Sequence, residues 1–421
     1  MRQKVQKIIT HPLISGSTVI FIGSFIASLL NYFYNILMGR MLSEKDFGLL
    51  ISLTSILILV SLFSSSFANV FTKLTAEDAV HKGKSRYAMI ITQGGKYIFY
   101  FTFIFSILYL VATPMLMNYL HIKNGEYVII ILLAMIGTLL LSLPTGILQG
   151  KLKFYSLSFV HIVQPFIKIF FALLLVSAGL AVTGALSAIA LSMIVPAIIL
   201  GFILLRKSKK HELTVKEEGE FRSKFTHYSY TFFLAGIGTA LLSNTDIILV
   251  RHYFPEVVSG QYAALSLMGK AIFYLTNPIN FVFFPLIAQK KERNENLLPT
   301  VALALILILG SSLFLSAIYF FFPSLILTLF FPSESYRVLA QYLGPFSLYI
   351  VIFSLCSLLS NYFLSSGSTG IYKLTLISGI LQILLITLFH QSISQVILVL
   401  LVNSLILLIL QLFYYVKTKR N

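Results

Sequence analysis

Residues 31–48 read NYFYNILMGRMLSEKDFG, and residues 243–260 read SNTDIILVRHYFPEVVSG. Each stretch closes an apolar run, crosses a short charged turn and enters the next apolar run. Superposed at a shift of 212 positions, the distance from Gly48 to Gly260, they match Leu37 with Leu249 and Glu44 with Glu256. The same shift, without a gap, pairs Val70 with Val282, Phe71 with Phe283, Leu74 with Leu286 and Ala76 with Ala288. This is the mark of a chain built from two related halves.

Outward from these anchors the sequence is mostly apolar. Hydrophobic residues make up 57% and charged residues 11%, where a soluble domain carries about 25% charged residues. Apolar runs of about 20 residues or more suffice to cross a bilayer core as helices, and the ten-residue alternation of a membrane β-barrel is missing. Breaks at charged or Gly/Pro-rich segments place about twelve spans near 15–38, 48–72, 88–113, 127–148, 157–178, 182–205, 227–250, 261–288, 298–322, 339–365, 371–390 and 393–416. The expected fold is therefore an all-α polytopic membrane protein without a soluble domain. Residues 1–205 form one six-helix bundle, 206–226 a solvated cytoplasmic linker of mixed charge, and 227–421 a second six-helix bundle. An even number of spans per half sends both halves into the membrane in the same direction, related by an axis along the membrane normal, and two such bundles would enclose a central cavity.

A net charge of +17 in a soluble protein would suggest nucleic acid. Here most of it reports topology instead. Alternating the connections from a cytoplasmic N-terminus puts about 23 of the 31 Lys and Arg inside, against five in the outer loops: Arg40, Lys45, Lys123, Arg251 and Arg337. That asymmetry sets both termini in the cytoplasm, and no nucleic-acid partner is expected. The first apolar stretch, Ser15 to Met38, is too long for a signal-peptide core and is expected to remain as a span. The single cysteine, Cys356, has no partner for a disulfide.

Charges at the centre of a span cost about 2.5–3.5 kcal/mol each on insertion scales and persist where they meet a cavity or a partner. Lys96, Lys168, Asp246 and Lys270 stand at such depth. Lys168 shares a helix face with His161 and Gln164, at spacings of seven and four. Tyr262, Ser266, Lys270 and Asn277 form a stripe that runs into Pro278, where the missing N–H loosens the helix. Ser17, Ser24, Ser28, Asn31 and Asn35 repeat the pattern in the first span, and Ser347, Ser354, Ser357 and Asn361 in the tenth. For any one of these stripes, helix–helix contact through small polar residues is the better account. The lysines are harder to explain by packing, and three cations against one acid describe a cavity that attracts an anion. Lys168, Lys270, Lys96, His161, Gln164, Asn31 and Asn277 are the expected substrate-binding residues, with Asp246 reserved for charge pairing or ion coupling. Walker A, metal-ligand and nucleophile-elbow motifs are absent, so neither cofactor nor metal is expected and a transporter is favoured over an enzyme.

The stretches LMGRMLSEKDFGLL from Leu37 and NTDIILVRHYFPEVVSGQYAALSLMGKAIFYLTNPINFVFFP from Asn244, with Asp246, Gly260, Tyr262, Ala263, Ala264 and Pro285 in order, resemble the oligosaccharide (O-antigen type) flippase branch of the multidrug/oligosaccharidyl-lipid/polysaccharide exporter (MOP) superfamily. The resemblance implies two six-helix bundles that alternate between inward- and outward-open states in a bacterial inner membrane. It implies a polyprenyl-pyrophosphate-linked oligosaccharide as substrate, with its tail left among membrane lipids, and a glycan polymerase and glycosyltransferases as partners of a monomer. Relatives that move peptidoglycan precursor have about fourteen spans, and the extra two are not found here, which favours a surface-polysaccharide repeat unit. A cation-coupled multidrug extruder of the same superfamily, and a membrane-embedded polysaccharide polymerase or ligase, are the competing readings. The first would be expected to carry more intramembrane acids, the second a large outer loop.

Overall fold

The computed structural model describes residues 12–80, 87–207, 215–292, 295–366 and 370–420. They form helices α1 (Pro12–Met41), α2 (Glu44–Val80), α3 (Tyr87–Tyr119), α4 (Glu126–Gly150), α5 (Phe154–Leu175), α6 (Ala181–Lys207), α7 (Val215–Tyr253), α8 (Glu256–Glu292), α9 (Leu298–Phe321), the short α10 (Pro323–Phe330), α11 (Ala340–Ser365), α12 (Ile371–Leu388) and α13 (Ile393–Arg420). No strand occurs among the described residues. Each expected span falls on one of the twelve long helices. Nine helical stretches among the described residues are long and apolar enough to cross a membrane, or ten with α7, which bends by 44° between Leu234 and Gly236. One of the nine, Phe154–Leu204, holds both α5 and α6. The chain reverses between them at a π turn, where Gly179 takes φ 90°, a conformation that costs a side-chain-bearing residue strain.

The described chain makes two compact units. Unit 1 holds the chain up to Tyr34 and Leu57–Leu234; unit 2 holds Asn35–Ile56 and the chain from Ala235. In unit 1, α4 and α5 pack on α6, and α3 packs on α4. In unit 2, α11 is the central helix, against which α8, α9 and α13 pack. Its serines serve that packing: Ser347 Oγ meets Ser316 Oγ of α9 at 2.7 Å, and Thr276 of α8 donates to Ser354 at 3.4 Å.

The segment 206–226, expected as a solvated linker, is helical from Val215 onward. Phe221 and Phe225 stand four residues apart and present an apolar stripe. Both are buried in the unit 1 core with Phe67, Phe71, Ile90 and Ile98. The charged residues of the segment mask this stripe in any composition-based reading.

The repeat anchors also have a structural role. α2 starts where Ser43 Oγ accepts from the Asp46 backbone N–H at 3.2 Å, a capping arrangement that satisfies an orphan donor of the first turn. One turn later Gly48 touches Gly260 within unit 2, so closely that a methyl on Gly48 would lie 2.7 Å from the Gly260 Cα. The crossing is laced by Lys45 to Glu256 at 2.5 Å, by Arg251 to Glu256 at 3.3 Å, and by Gln261 donating to Glu44 at 3.3 Å. Arg40, at the end of α1, donates to the backbone carbonyls of Leu329 and Phe330.

Two outcomes are expected. Phe225→Ala removes a core ring from unit 1 and should cost about 3–5 kcal/mol, seen as a lowered thermal-unfolding midpoint of purified protein, whereas Phe103→Ala, at a residue 57% exposed, should leave it unchanged. Gly48→Val sets a branched side chain against backbone and should destabilise the protein by at least as much as a typical overpacking change, about 1–3 kcal/mol.

Candidate functional site

In unit 1 the site is built on α5 and α1. Pro165 lies inside α5 and has no N–H, so the His161 carbonyl four residues earlier loses its helical donor. The freed carbonyl, Gln164 and Lys168 share one face of the helix. Lys168 is only 9% exposed. Its ammonium donates to Asn31 Oδ1 of α1 and sits 4.3 Å from the centroid of the Tyr34 ring. Asn31 is aimed by its own amide, whose Nδ2 donates to the Ala27 carbonyl at 2.9 Å. Tyr34 is buried, and its hydroxyl donates to the Ala185 carbonyl of α6 at 3.1 Å. The ammonium is thus held by an amide oxygen and an aromatic face. No carboxylate among the described residues pairs with it.

A hydrogen bond to a charged group contributes about 1.5–3 kcal/mol and a cation–π contact about 0.5–2 kcal/mol. Together these roughly offset the insertion cost of about 2.5–3.5 kcal/mol. They leave the charge itself uncancelled, and of the three N–H donors of an ammonium one is used. His161 and Gln164 are half-buried on the same face and form no hydrogen bond among the described residues.

In unit 2 a second cluster joins α7, α8, α11 and α12. Asp246 is 1% exposed, and its Oδ2 accepts from the buried Tyr262 hydroxyl at 2.8 Å, while Oδ1 has no hydrogen-bond partner. Around it, Gln382 donates to Thr245 Oγ1 and to the Leu242 carbonyl, both at 3.1 Å, and Tyr349 donates to that same carbonyl at 3.2 Å. Ser266, fully buried one turn beyond Tyr262, has an unpartnered hydroxyl. Lys270 follows on the same stripe. Its charge acts on Asp246, yet the two do not form an ion pair. Asn277, Pro278 and Pro285 lie within α8 and Ser17 within α1, with side chains outside the described residues.

The structure brings Lys168 together with Asn31, and Asp246 into the electrostatic reach of Lys270. Lys96 stands apart, exposed on α3. Three groups carry more than the sequence suggested. Tyr34 gave no signal, being one aromatic among many in an apolar run. Arg251, assigned above to an outer loop, is 2% exposed and bound to Glu256; Glu256 five residues on, across Pro255, was the available clue. Tyr262 was placed on a polar stripe without its carboxylate partner. No cluster of three or more His, Cys, Asp or Glu occurs among the described residues, so no metal centre is assembled there.

Comparison with known proteins follows this geometry. The model of the polysaccharide biosynthesis protein family matches residues 13–291. An uncharacterized membrane protein of Methanocaldococcus jannaschii is 24% identical over 324 residues, 72% of this chain and 73% of its own. Among solved structures, an inward-facing multidrug resistance MATE family transporter of the MOP superfamily aligns with TM-score 0.75 at 14% identity, over 96% of this chain and 99% of its own. The lipid II flippase MurJ, inward closed, gives 0.72 at 16% identity over 95% and 87%. A MOP superfamily transporter from Pyrococcus furiosus with a binding pocket of reverse polarity gives 0.67 at 16% identity over 97% and 96%. The fold is that of the MOP superfamily.

The buried carboxylate sets a test of the unit 2 cluster. Tyr262→Phe withdraws the Oδ2 donor and should destabilise the protein by about 1.5–3 kcal/mol. In an Asp246→Asn background the same change should cost clearly less, a coupling that a double-mutant cycle on thermal unfolding would read out.

Proposed function

The chain belongs to the polysaccharide biosynthesis protein family, and from that premise we propose that this multi-pass membrane protein is an alternating-access flippase for a polyprenyl-pyrophosphate-linked oligosaccharide. It moves a surface-polysaccharide repeat unit from the inner to the outer leaflet of the plasma membrane, with both of its own termini in the cytoplasm. The observation that carries the reading is Lys168: a cation at membrane depth, solvated by Asn31 and Tyr34 and by no acid.

The chemistry follows from that. Lysine binds phosphate as a point charge, and the two N–H donors left on Lys168 are directed at pyrophosphate oxygens. His161 and Gln164, with the His161 carbonyl released by Pro165, offer donors and acceptors to sugar hydroxyls on the same face. In unit 2 the candidate cation is Lys270, with Asn277 on its stripe. Asp246 has the burial and the open carboxylate oxygen expected of a group that takes up a proton or monovalent cation. A driving force is needed only for uphill transfer, and the membrane potential supplies about 2.3 kcal/mol per charge per 100 mV. Glycan-assembling enzymes on either side of the membrane would supply and consume the substrate.

The decisive measurement follows a fluorescent polyprenyl-pyrophosphate oligosaccharide between leaflets of proteoliposomes. Wild type should move it, and Lys168→Ala and Lys270→Ala, eluting as folded protein, should slow transfer by about tenfold or more, the equivalent of one lost charged hydrogen bond. If no lipid-linked glycan moves and a cationic dye is exported against a proton or sodium gradient, the reading gives way to a multidrug extruder.

A further inference from the structure

On one flank of unit 1, α2, α3 and the first half of α7 leave an apolar groove of about 410 Å³. Its walls are aromatic and fixed on one another. Phe225 stacks on Phe67 at 5.5 Å and on Tyr97 at 5.2 Å, while Phe63 stacks on Phe233 at 4.5 Å farther along. Tyr100 and Tyr230, both well exposed, form the lips. An apolar cavity of about 150 Å³ admits a benzene ring, so this groove has room for a chain of several such units. Two of its walls, α2 and α3, are long and apolar enough to cross a membrane.

Three cations stand at one end. Lys96 lies one turn before Tyr100 on α3, Arg222 one turn before Thr226 on α7, and Lys73 two turns beyond Ser66 on α2. These are same-face spacings. α2 ends at the membrane face where α3 and α7 begin, so all three cations belong to that face, and the aromatic walls lie deeper. All three are exposed, and none is paired with a carboxylate among the described residues. Lys73 rests 3.7 Å over the Tyr228 ring. The neighbouring Lys224, by contrast, is paired with Glu77 at 3.1 Å.

Resting on the flippase reading, we propose that this groove seats the first isoprene units of the substrate's polyprenyl chain, with Lys73, Lys96 and Arg222 gathering its phosphates at the membrane face. The match is one of charge and of apolar lining. An apolar groove rimmed by polar groups marks a binding surface, and Lys and Arg are the residues that hold phosphate. An apolar groove of this size beneath a cation cluster suits a lipid whose chain follows directly on its phosphates. On this view Lys96 acts at substrate loading, away from the Lys168 site.

The test photolabels the full-length protein in phosphatidylcholine vesicles, using a polyprenyl phosphate with a diazirine near its headgroup, and maps the labelled peptides. Label should concentrate on α3 and α7 around Tyr100 and Tyr230, and unlabelled polyprenyl phosphate should displace it where an equal amount of phosphatidylglycerol does not. Thr226→Trp, which fills the groove, should lower labelling about tenfold, and Lys96→Gln combined with Arg222→Gln should lower it severalfold at neutral pH. Equal labelling by a diazirine-bearing phosphatidylglycerol, or undiminished labelling of a folded Thr226→Trp variant, overturns the proposal. The leaflet assay reports separately. Groove labelling without glycan transfer would sink the flippase reading and leave the groove standing, whereas transfer with label spread evenly over the lipid-facing helices would do the reverse.

Discussion

An ammonium that cannot reach water has to find its solvation inside the protein, and the packing of α1 on α5 and α6 is arranged around that need. Asn31 turns its amide oxygen to Lys168 because its nitrogen is occupied by the Ala27 carbonyl, and the Tyr34 ring is held under the charge because its hydroxyl is tied to Ala185. Neutral solvation of this kind keeps a charge tolerable without cancelling it. A carboxylate in place of Asn31 would give a tighter pair and a site blind to anions. The MOP fold, with half-buried polar faces inside apolar helices, provides the setting in which so little stabilisation is decisive.

Unit 2 solves the opposite problem. Asp246 is a buried carboxyl whose side-chain hydrogen-bond donor is Tyr262, in a polar core where the Ser266 hydroxyl and the side-chain oxygen of Gln382 lack partners. Lys270 lies near enough to influence it and too far to pair. Buried groups left in this state are costly.

Much of this was legible in the sequence, for identifiable reasons. Hydrocarbon forces its spanning segments to be long and apolar, so the span positions could be read directly. The rarity of charge at depth singled out Lys168, Asp246 and Lys270, and helical spacing put Asn31 among the candidates. What stayed hidden were partners whose residue type is common in apolar runs, such as Tyr34, and segments whose composition misstates their surroundings. Residues 215–226 carry enough charge to pass for a linker, yet Phe221 and Phe225 are core residues. Arg251 was read as exposed because it follows an apolar run, whereas Glu256 and the close crossing at Gly48 and Gly260 draw it inside.

The place of α7 bears on how the protein is made. Synthesis runs from the N-terminus, so six helices leave the translocation machinery before the segment that carries Phe221 and Phe225 emerges. Until then the first unit has a gap in its core where those two rings belong. The seventh helix is thus the closing piece of a structure begun two hundred residues earlier, and also the first piece of the next. If the halves descend from a duplicated ancestor, this exchange made them inseparable: a gene broken at its midpoint would yield a first product lacking part of its own interior. Membrane quality control would see that fragment as unfinished, and the two-part design is preserved by the order of its assembly as much as by what it carries.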